Sequence, residues 1–512
     1  MLVKTFASAV YGIDATTITI EVNIDKGFKF FLVGLPDNAV KESQKRIEAA
    51  LKNSNLKFPG KKITINMAPA DIRKEGSSFD LPLAIGILAA SGQMDADQLD
   101  EYVIMGELSL DGSLQPIKGA LPIAIQAKKE GFKGFLLPSQ NAEEAAIVEG
   151  LDVYGIENIS EVVDFFNGDK TLSPALFDTQ KAFEEQLDLY DVDFADVKGQ
   201  ENAKRALEIA AAGGHNLVMI GPPGVGKTML ARRIPTILPP LSLNEALETT
   251  KIHSVAGKLG SRTSLLTTRP FRSPHHTVSN VALVGGGSHP QPGEISLAHN
   301  GVLFLDELPE FARTVLEVLR QPLEDREVTI SRAKFSVDYP ASFMLVASMN
   351  PSPSGNFYDP NGDNPDSEYE VRRYLSKISG PLLDRIDLHV EVNPVAFEEL
   401  SSKRKEESSA EIRKRVIEAR KIQSKRYEEL ESVHSNAQLP PKQIKKWCEI
   451  DEAGNAMLKN AMEKLGLSAR SYARILKVAR TIADLEASEK IETPHVAEAI
   501  QYRSLDRDGW LS

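Results

Sequence analysis

The segment Gly221-Pro-Pro-Gly224-Val-Gly226-Lys227-Thr228 lies between an apolar run, Leu217–Ile220, and a stretch of helical character, Met229–Ile234. A glycine-rich turn between strand and helix aims backbone N–H groups and the helix's positive end at one point, which suits a polyphosphate. Gly221, Pro222, Pro223, Gly224, Val225 and Gly226 are the expected cradle. Lys227 is placed to reach the β- and γ-phosphates, and Thr228 to offer its hydroxyl to Mg²⁺. A bland glycine-rich turn is the competing reading; the strand before and the helix after weigh against it.

Further along, Val302–Leu305 is a continuous apolar run that ends in Asp306 and Glu307. A buried parallel strand would deliver both carboxylates to its C-terminal edge. Asp306 is expected to hold the Mg²⁺ shell and Glu307 to polarise the attacking water. A third run, Phe343–Ala347, delivers Asn350 to the same edge as a water-orienting or γ-phosphate-sensing residue. Together these predict hydrolysis of ATP rather than passive binding. Arg385 precedes one more apolar strand, and its planar fork can spread charge over a transferring phosphoryl group in a neighbouring subunit. An ion pair with Asp384 or Asp387 is the alternative for it. Arg470 is a candidate cis contact to the nucleotide, against a solvated helix-face arginine.

At 512 residues the chain has room for two to four domains. A lone cysteine, Cys448, excludes an intramolecular disulfide framework and fits a reducing cytoplasm. No apolar run reaches the length of a membrane span, so no membrane association is expected. A formal charge of -12 argues against coating nucleic acid broadly. Yet residues 251–300 hold five Lys or Arg against one acid, with five of the nine histidines, and a polyanion could be touched there. Residues 1–168 read as a separate α/β domain, with alternating Ile18, Ile20, Val22 and Ile24 on one strand face. Residues 169–193 read as an acidic linker, 194–400 as the ATPase core, and 401–512 as a helical lid.

Three long motifs lead into the Asp306-Glu307 strand: Pro270-Phe-Arg-Ser-Pro-His-His-Thr277, Val281-Ala-Leu-Val-Gly-Gly-Gly287 and Pro292-Gly-Glu-Ile-Ser-Leu-Ala-His-Asn-Gly301. With Phe31–Val40 and the Arg470 segment, they resemble the magnesium-chelatase-like AAA+ ATPases of the ComM/YifB type over nearly the whole chain. The resemblance implies a parallel-sheet P-loop core, a Lon-protease-like α/β domain before it and an α-helical lid after it. It further implies a homo-hexameric ring and ATP-driven helicase or branch-migration activity on single-stranded or branched DNA. An insert in helix 2, about 269–293, and a hairpin, about 326–339, would face the ring pore. Arg269, Arg272, His275, His276, Arg332 and Lys334 are the candidate DNA contacts, with Asn350 as first sensor, Arg470 as second and Arg385 as trans finger. The alternatives are a remodelling ATPase without unwinding activity and a chelatase-like metal-insertion chaperone.

Two departures from related patterns matter. The Lon-like domain places Ser78 at the nucleophile loop but Leu121-Pro122-Ile123 where the lysine is expected, and Lys118 comes early. A serine without a base is not activated, so inactivity is expected there. Relatives carry an Asn-Pro-Cys-Pro-Cys-Gly pattern that suggests zinc; this chain reads Asn350-Pro-Ser352-Pro-Ser354-Gly355, and no zinc is expected.

Overall fold

The apolar alternation along Thr17–Ile24 buries Ile18, Ile20 and Val22 completely on one strand face. That strand belongs to a computed structural model that describes the chain apart from residues 1, 185–189, 261–262, 288–289, 333–334, 356–365, 402–404, 431–432 and 504–512. The chain divides into two compact units, 1–186 with 243–267, and 187–242 with 268–512.

In the first unit, seven strands form one mixed sheet: β1 (Leu2–Tyr11), β2 (Asp14–Asp25), β3 (Phe30–Val33), β4 (Lys62–Ala68), β5 (Tyr102–Ile104), β6 (Gly134–Pro138) and β7 (Asp152–Ile156). Their order is β3-β4-β2-β1-β5-β6-β7, antiparallel among β4, β2 and β1 and parallel elsewhere. The helix Asn38–Asn53 starts where the Asp37 side chain accepts from Val40 N at 2.8 Å. The helix Asp80–Ala90 has no polar face because every residue in it is buried.

Residues 243–267 were read as part of the ATPase core, but the helix Leu243–Ala256 packs within this first unit. Its buried residues include Ala246, Ile252 and Val255. Ser254 Oγ donates to the buried carboxylate of Glu144, which also accepts from Leu121 N at 2.8 Å. Burial pushes the Glu144 carboxyl above its ordinary range, against the pull of those donors. Lys251 adds an ion pair to Asp14 at 3.1 Å.

In the second unit an all-parallel sheet carries the nucleotide motifs. Its strands are β8 (Leu217–Ile220), β9 (Phe271–Arg272), β12 (Val302–Leu305), β15 (Met344–Met349) and β16 (Leu388–Glu391). Their order is β9-β12-β15-β8-β16. Two hairpins stand apart from it: β10 (Gly285–Gly286) with β11 (Gln291–Pro292), and β13 (Glu327–Arg332) with β14 (Phe335–Pro340). The charged stretch after residue 402 forms the helix Ser409–Arg426, opened by a Ser408 capping box and buried at Ile412, Val416 and Ala419. Gly466 closes the helix Glu452–Leu465, and Ser468 caps Ala469–Leu485. These C-terminal helices share one hydrophobic core with the sheet rather than forming a separate body.

Candidate nucleotide site

Parallel strands deliver their C-terminal ends to one edge, and three of the motifs meet there. β8 ends at Ile220, and Gly221 N donates to Met349 O at the end of β15. Gly224 and Gly226 take φ of 82° and 92°, a left-handed backbone that favours glycine, and the helix Lys227–Ile237 follows at once. Lys227 Nζ stretches over the loop and donates to Gly221 O at 2.5 Å, Pro222 O at 2.9 Å and Asn350 Oδ1 at 3.0 Å. Burial lowers its pKa, against the pull of the Asp306 and Glu307 carboxylates. Asn350 is therefore brought to the loop's cation.

Thr228 Oγ1 donates to Asp306 Oδ2 at 2.8 Å. A hydroxyl and a carboxylate side by side are the hard oxygen donors that suit Mg²⁺, so Thr228 and Asp306 fit the ion that AAA+ proteins use. The ion's role, when bound, is to bridge phosphate oxygens and neutralise developing charge. Ser348 was missed in the sequence. Its hydroxyl donates to Asp306 Oδ1 and receives Glu307 N at 3.3 Å, fixing both acids relative to β15. The only signal for it was its position directly after the apolar run. Glu307 itself has φ 54°, an uncommon conformation for a non-glycine residue, and a side chain 56% exposed.

The two arginines stand elsewhere. Arg385 and Asp387 precede β16, and β16 runs parallel to β8 with Leu388 opposite Leu217. They therefore lie at the sheet edge opposite the phosphate loop. Arg385 is buried; it donates to Pro381 O at 2.5 Å and to the exposed Glu324 carboxylate, and neither Asp384 nor Asp387 is its partner in these bonds. Arg470, expected as a cis contact to the nucleotide, pairs with Asp384 at 3.5 Å and is 64% exposed. Its helix is anchored at the far edge through Arg474, which donates to Asp387 Oδ1 and to Arg385 O.

Asp387 is the hub of that edge. It also receives Asn216 N at 3.1 Å and lies 3.3 Å from Nδ1 of the buried His215. Burial alone would raise its carboxyl, but Arg474 and His215 outweigh it and hold Asp387 well below the usual carboxylate range. Asp387→Ala leaves Arg474 without its carboxylate, and a loss of about 3–5 kcal/mol is expected for the second unit in urea unfolding. Because the folded pKa is depressed, the stabilisation is present at neutral pH. It is lost as pH falls through and below the ordinary carboxylate range of about 4. Unfolding midpoints equal to wild type would sink this account.

The candidate DNA contacts divide. Arg269 donates to Pro239 O at 2.6 Å and Asn300 O at 2.7 Å, and Arg272 is bidentate to Glu294, so both guanidinium groups hold the base of the insert. His275 turns to Thr277, and His276 faces Glu307. Arg332 ends β13, and Lys334 lies outside the described residues. Ser354 donates to Asp366, and Ser352 Oγ receives Gly355 N at 3.1 Å. Among the described residues no cluster of three His, Cys, Asp or Glu is arranged to hold a metal, and no helix is long and apolar enough to cross a membrane. In the first unit, Leu121 is fully buried at the expected lysine position. Lys74, four residues before Ser78, is buried and donates to Ile72 O at 2.7 Å and to Pro69 O; burial lowers its pKa.

Comparison with known proteins agrees with this geometry. Residues 193–400 match the family model "Magnesium chelatase, subunit ChlI", residues 20–141 "Subunit ChlI of Mg-chelatase", and residues 406–503 "Magnesium chelatase, subunit ChlI C-terminal". The chain is 46% identical over 505 residues to competence protein ComM of Haemophilus influenzae, covering 98% of this chain and 97% of that one. It is 45% identical over 502 residues to the protein YifB of Escherichia coli, covering 98% and 96%. Over 157 residues, 28% of this chain and 27% of the relative, it is 32% identical to Lon protease 2 of Bacillus subtilis. Full-length likeness and the clustered phosphate-loop, Asp306 and Asn350 groups thus agree: the chain belongs to the ComM/YifB family of magnesium-chelatase-like AAA+ ATPases.

Proposed function

We propose that this protein is a ring-forming, ATP-hydrolysing motor that acts on DNA, a helicase promoting branch migration during recombination or natural transformation. The observation that carries the reading is the separation of parts across one sheet. The phosphate loop, Asp306, Glu307 and Asn350 share the C-terminal edge, while Arg385 and Arg470 stand at the opposite edge. An arginine that cannot reach its own pocket can complete a neighbour's, which makes hydrolysis depend on assembly. A homo-hexamer is the assembly this reading takes. The name of the Haemophilus influenzae relative, a competence protein, favours transforming DNA as the substrate. The Lon-like region serves as a platform rather than a protease, since a buried leucine stands where a base is needed.

Strand displacement on forked and branched DNA tests the reading. ATP-dependent unwinding is expected from the native protein and none from the Glu307→Gln protein. Robust ATPase activity without displacement or any salt-dependent DNA affinity would move the assignment to a remodelling ATPase.

A further inference from the structure

One end of the first unit's sheet gathers lysines around exposed aromatic rings. The turn between β2 and β3, Lys26-Gly27-Phe28-Lys29, and the segment entering β4, Lys57-Phe-Pro-Gly-Lys61-Lys62, hold five lysines and no acid, in a chain of formal charge -12. Strand pairing brings the two segments together. Asp25 at the end of β2 stands opposite Lys62, and Phe30 at the start of β3 opposite Ile63. Lys29 O accepts from Ile63 N at 2.8 Å. Gly27 turns with φ 127°, a backbone that favours glycine, and packs so close that an added Cβ would sit 3.3 Å from Lys62 Cβ.

Two rings stand among these cations. Phe28 is 92% exposed, more than any other large hydrophobic side chain among the described residues. Phe31 is 43% exposed on β3, the outermost strand of the sheet, and Lys62 Nζ lies 5.7 Å from its ring centre. Among the described residues, none of the five ammonium groups lies within ion-pair range of a carboxylate. Asp25, opposite Lys62, accepts instead from Asn23 at 2.8 Å. A lone exposed apolar side chain needs no explanation. Two rings set among unpaired lysines fit a partner that offers negative charge and flat apolar faces together.

Resting on the reading of the protein as a DNA motor, we propose that this sheet end is a binding site for single-stranded DNA on the Lon-like body. Lys26, Lys29, Lys61 and Lys62 neutralise phosphates along one strand, while Phe28 and Phe31 stack on its bases. In a duplex the bases already stack on one another, so the rings select unpaired DNA. An anionic membrane offers charge as well. It takes a broad apolar face, however, and two phenyl rings on a turn and a short strand do not make one.

The test uses the full-length protein and fluorescein-labelled oligothymidine, with anisotropy followed over a range of salt. Phe28→Ala should weaken binding about 5- to 150-fold, the loss of one stacked base, with the salt dependence unchanged. Lys26→Ala combined with Lys29→Ala should lower the slope of log affinity against log salt by about 1.4, the value of two single-strand phosphate contacts. Phe28→Trp should keep native affinity, and oligothymidine should quench its added emission. A ring this exposed contributes no core packing, so its loss does not unfold the sheet. Native affinity and slope in the alanine variants, from a protein that displaces strands, overturn the site alone. No salt-dependent affinity and no strand displacement by the native protein overturn the DNA reading, and the site with it. Phe28-dependent binding to phosphatidylserine vesicles, with oligothymidine affinity unmoved by Phe28→Ala, makes the patch a membrane contact and overturns the proposal.

Discussion

Glu307→Gln should bind ATP as tightly as the native protein and turn it over about 10²- to 10⁴-fold more slowly, the factor a positioned general base contributes. The structure separates the two acids in a way that makes this expectation sharp. Asp306 has both carboxylate oxygens engaged, one by Thr228 and one by Ser348, which suits a fixed partner of the ion. Glu307 has only its backbone N–H fixed by Ser348, while its carboxylate stands half exposed beside His276. Glutamine preserves size and shape but replaces one acceptor oxygen with a donor NH2 and cannot take a proton, so binding is expected to survive and chemistry is not. Lys227→Ala is the contrast: it removes the cation over the cradle and should abolish binding itself. Equilibrium titration with a labelled nucleotide, paired with steady-state turnover, separates the two variants. Ordinary turnover by Glu307→Gln would remove it from the mechanism.

Arg385→Ala should lower turnover by about three orders of magnitude or more while leaving ATP affinity intact, the effect typical of a finger arginine. Its guanidinium is tied to Pro381 O and Glu324 at the edge away from its own phosphate loop, so loss of binding in cis is not expected. Mixing Arg385→Ala with Lys227→Ala protein should restore activity. An Arg385→Ala subunit keeps a whole phosphate loop, and a Lys227→Ala neighbour keeps the arginine. Activity that stays flat at every mixing ratio would leave Arg385 as a structural residue bound to Glu324.

The positions of the phosphate loop, the Asp306-Glu307 pair and Asn350 were legible because each follows its own apolar run, and parallel strands bring such ends to one edge. The same rule, applied to residues before a strand, could have placed Arg385 and Asp387 at the opposite edge; the sequence held that signal. Arg470 was harder, because nothing in a helix's own periodicity says which end of a sheet it packs against. Arg272 and Glu294 are 22 residues apart with no repeat between them, so their pairing emerges only when the insert closes on itself. Of the expected DNA contacts, Arg272 is held by that pairing and Arg269 by the Pro239 and Asn300 carbonyls. In the first unit, alternation fixed β2 and its buried face, but the helix Leu243–Ala256 was assigned by adjacency in sequence. Its buried residues belong to a core laid down more than a hundred residues earlier.

That late-arriving helix has a bearing on synthesis. The amino-terminal body is interrupted in sequence, and its last piece, 243–267, is translated after the phosphate loop. A nascent chain halted at residue 200 would still lack part of its first globule, whatever its local propensities. Three covalent crossings, after residues 186, 242 and 267, also join the two bodies. A protease nick in any single crossing would leave them tethered, and neither body could be gained or shed by one simple cut of the gene.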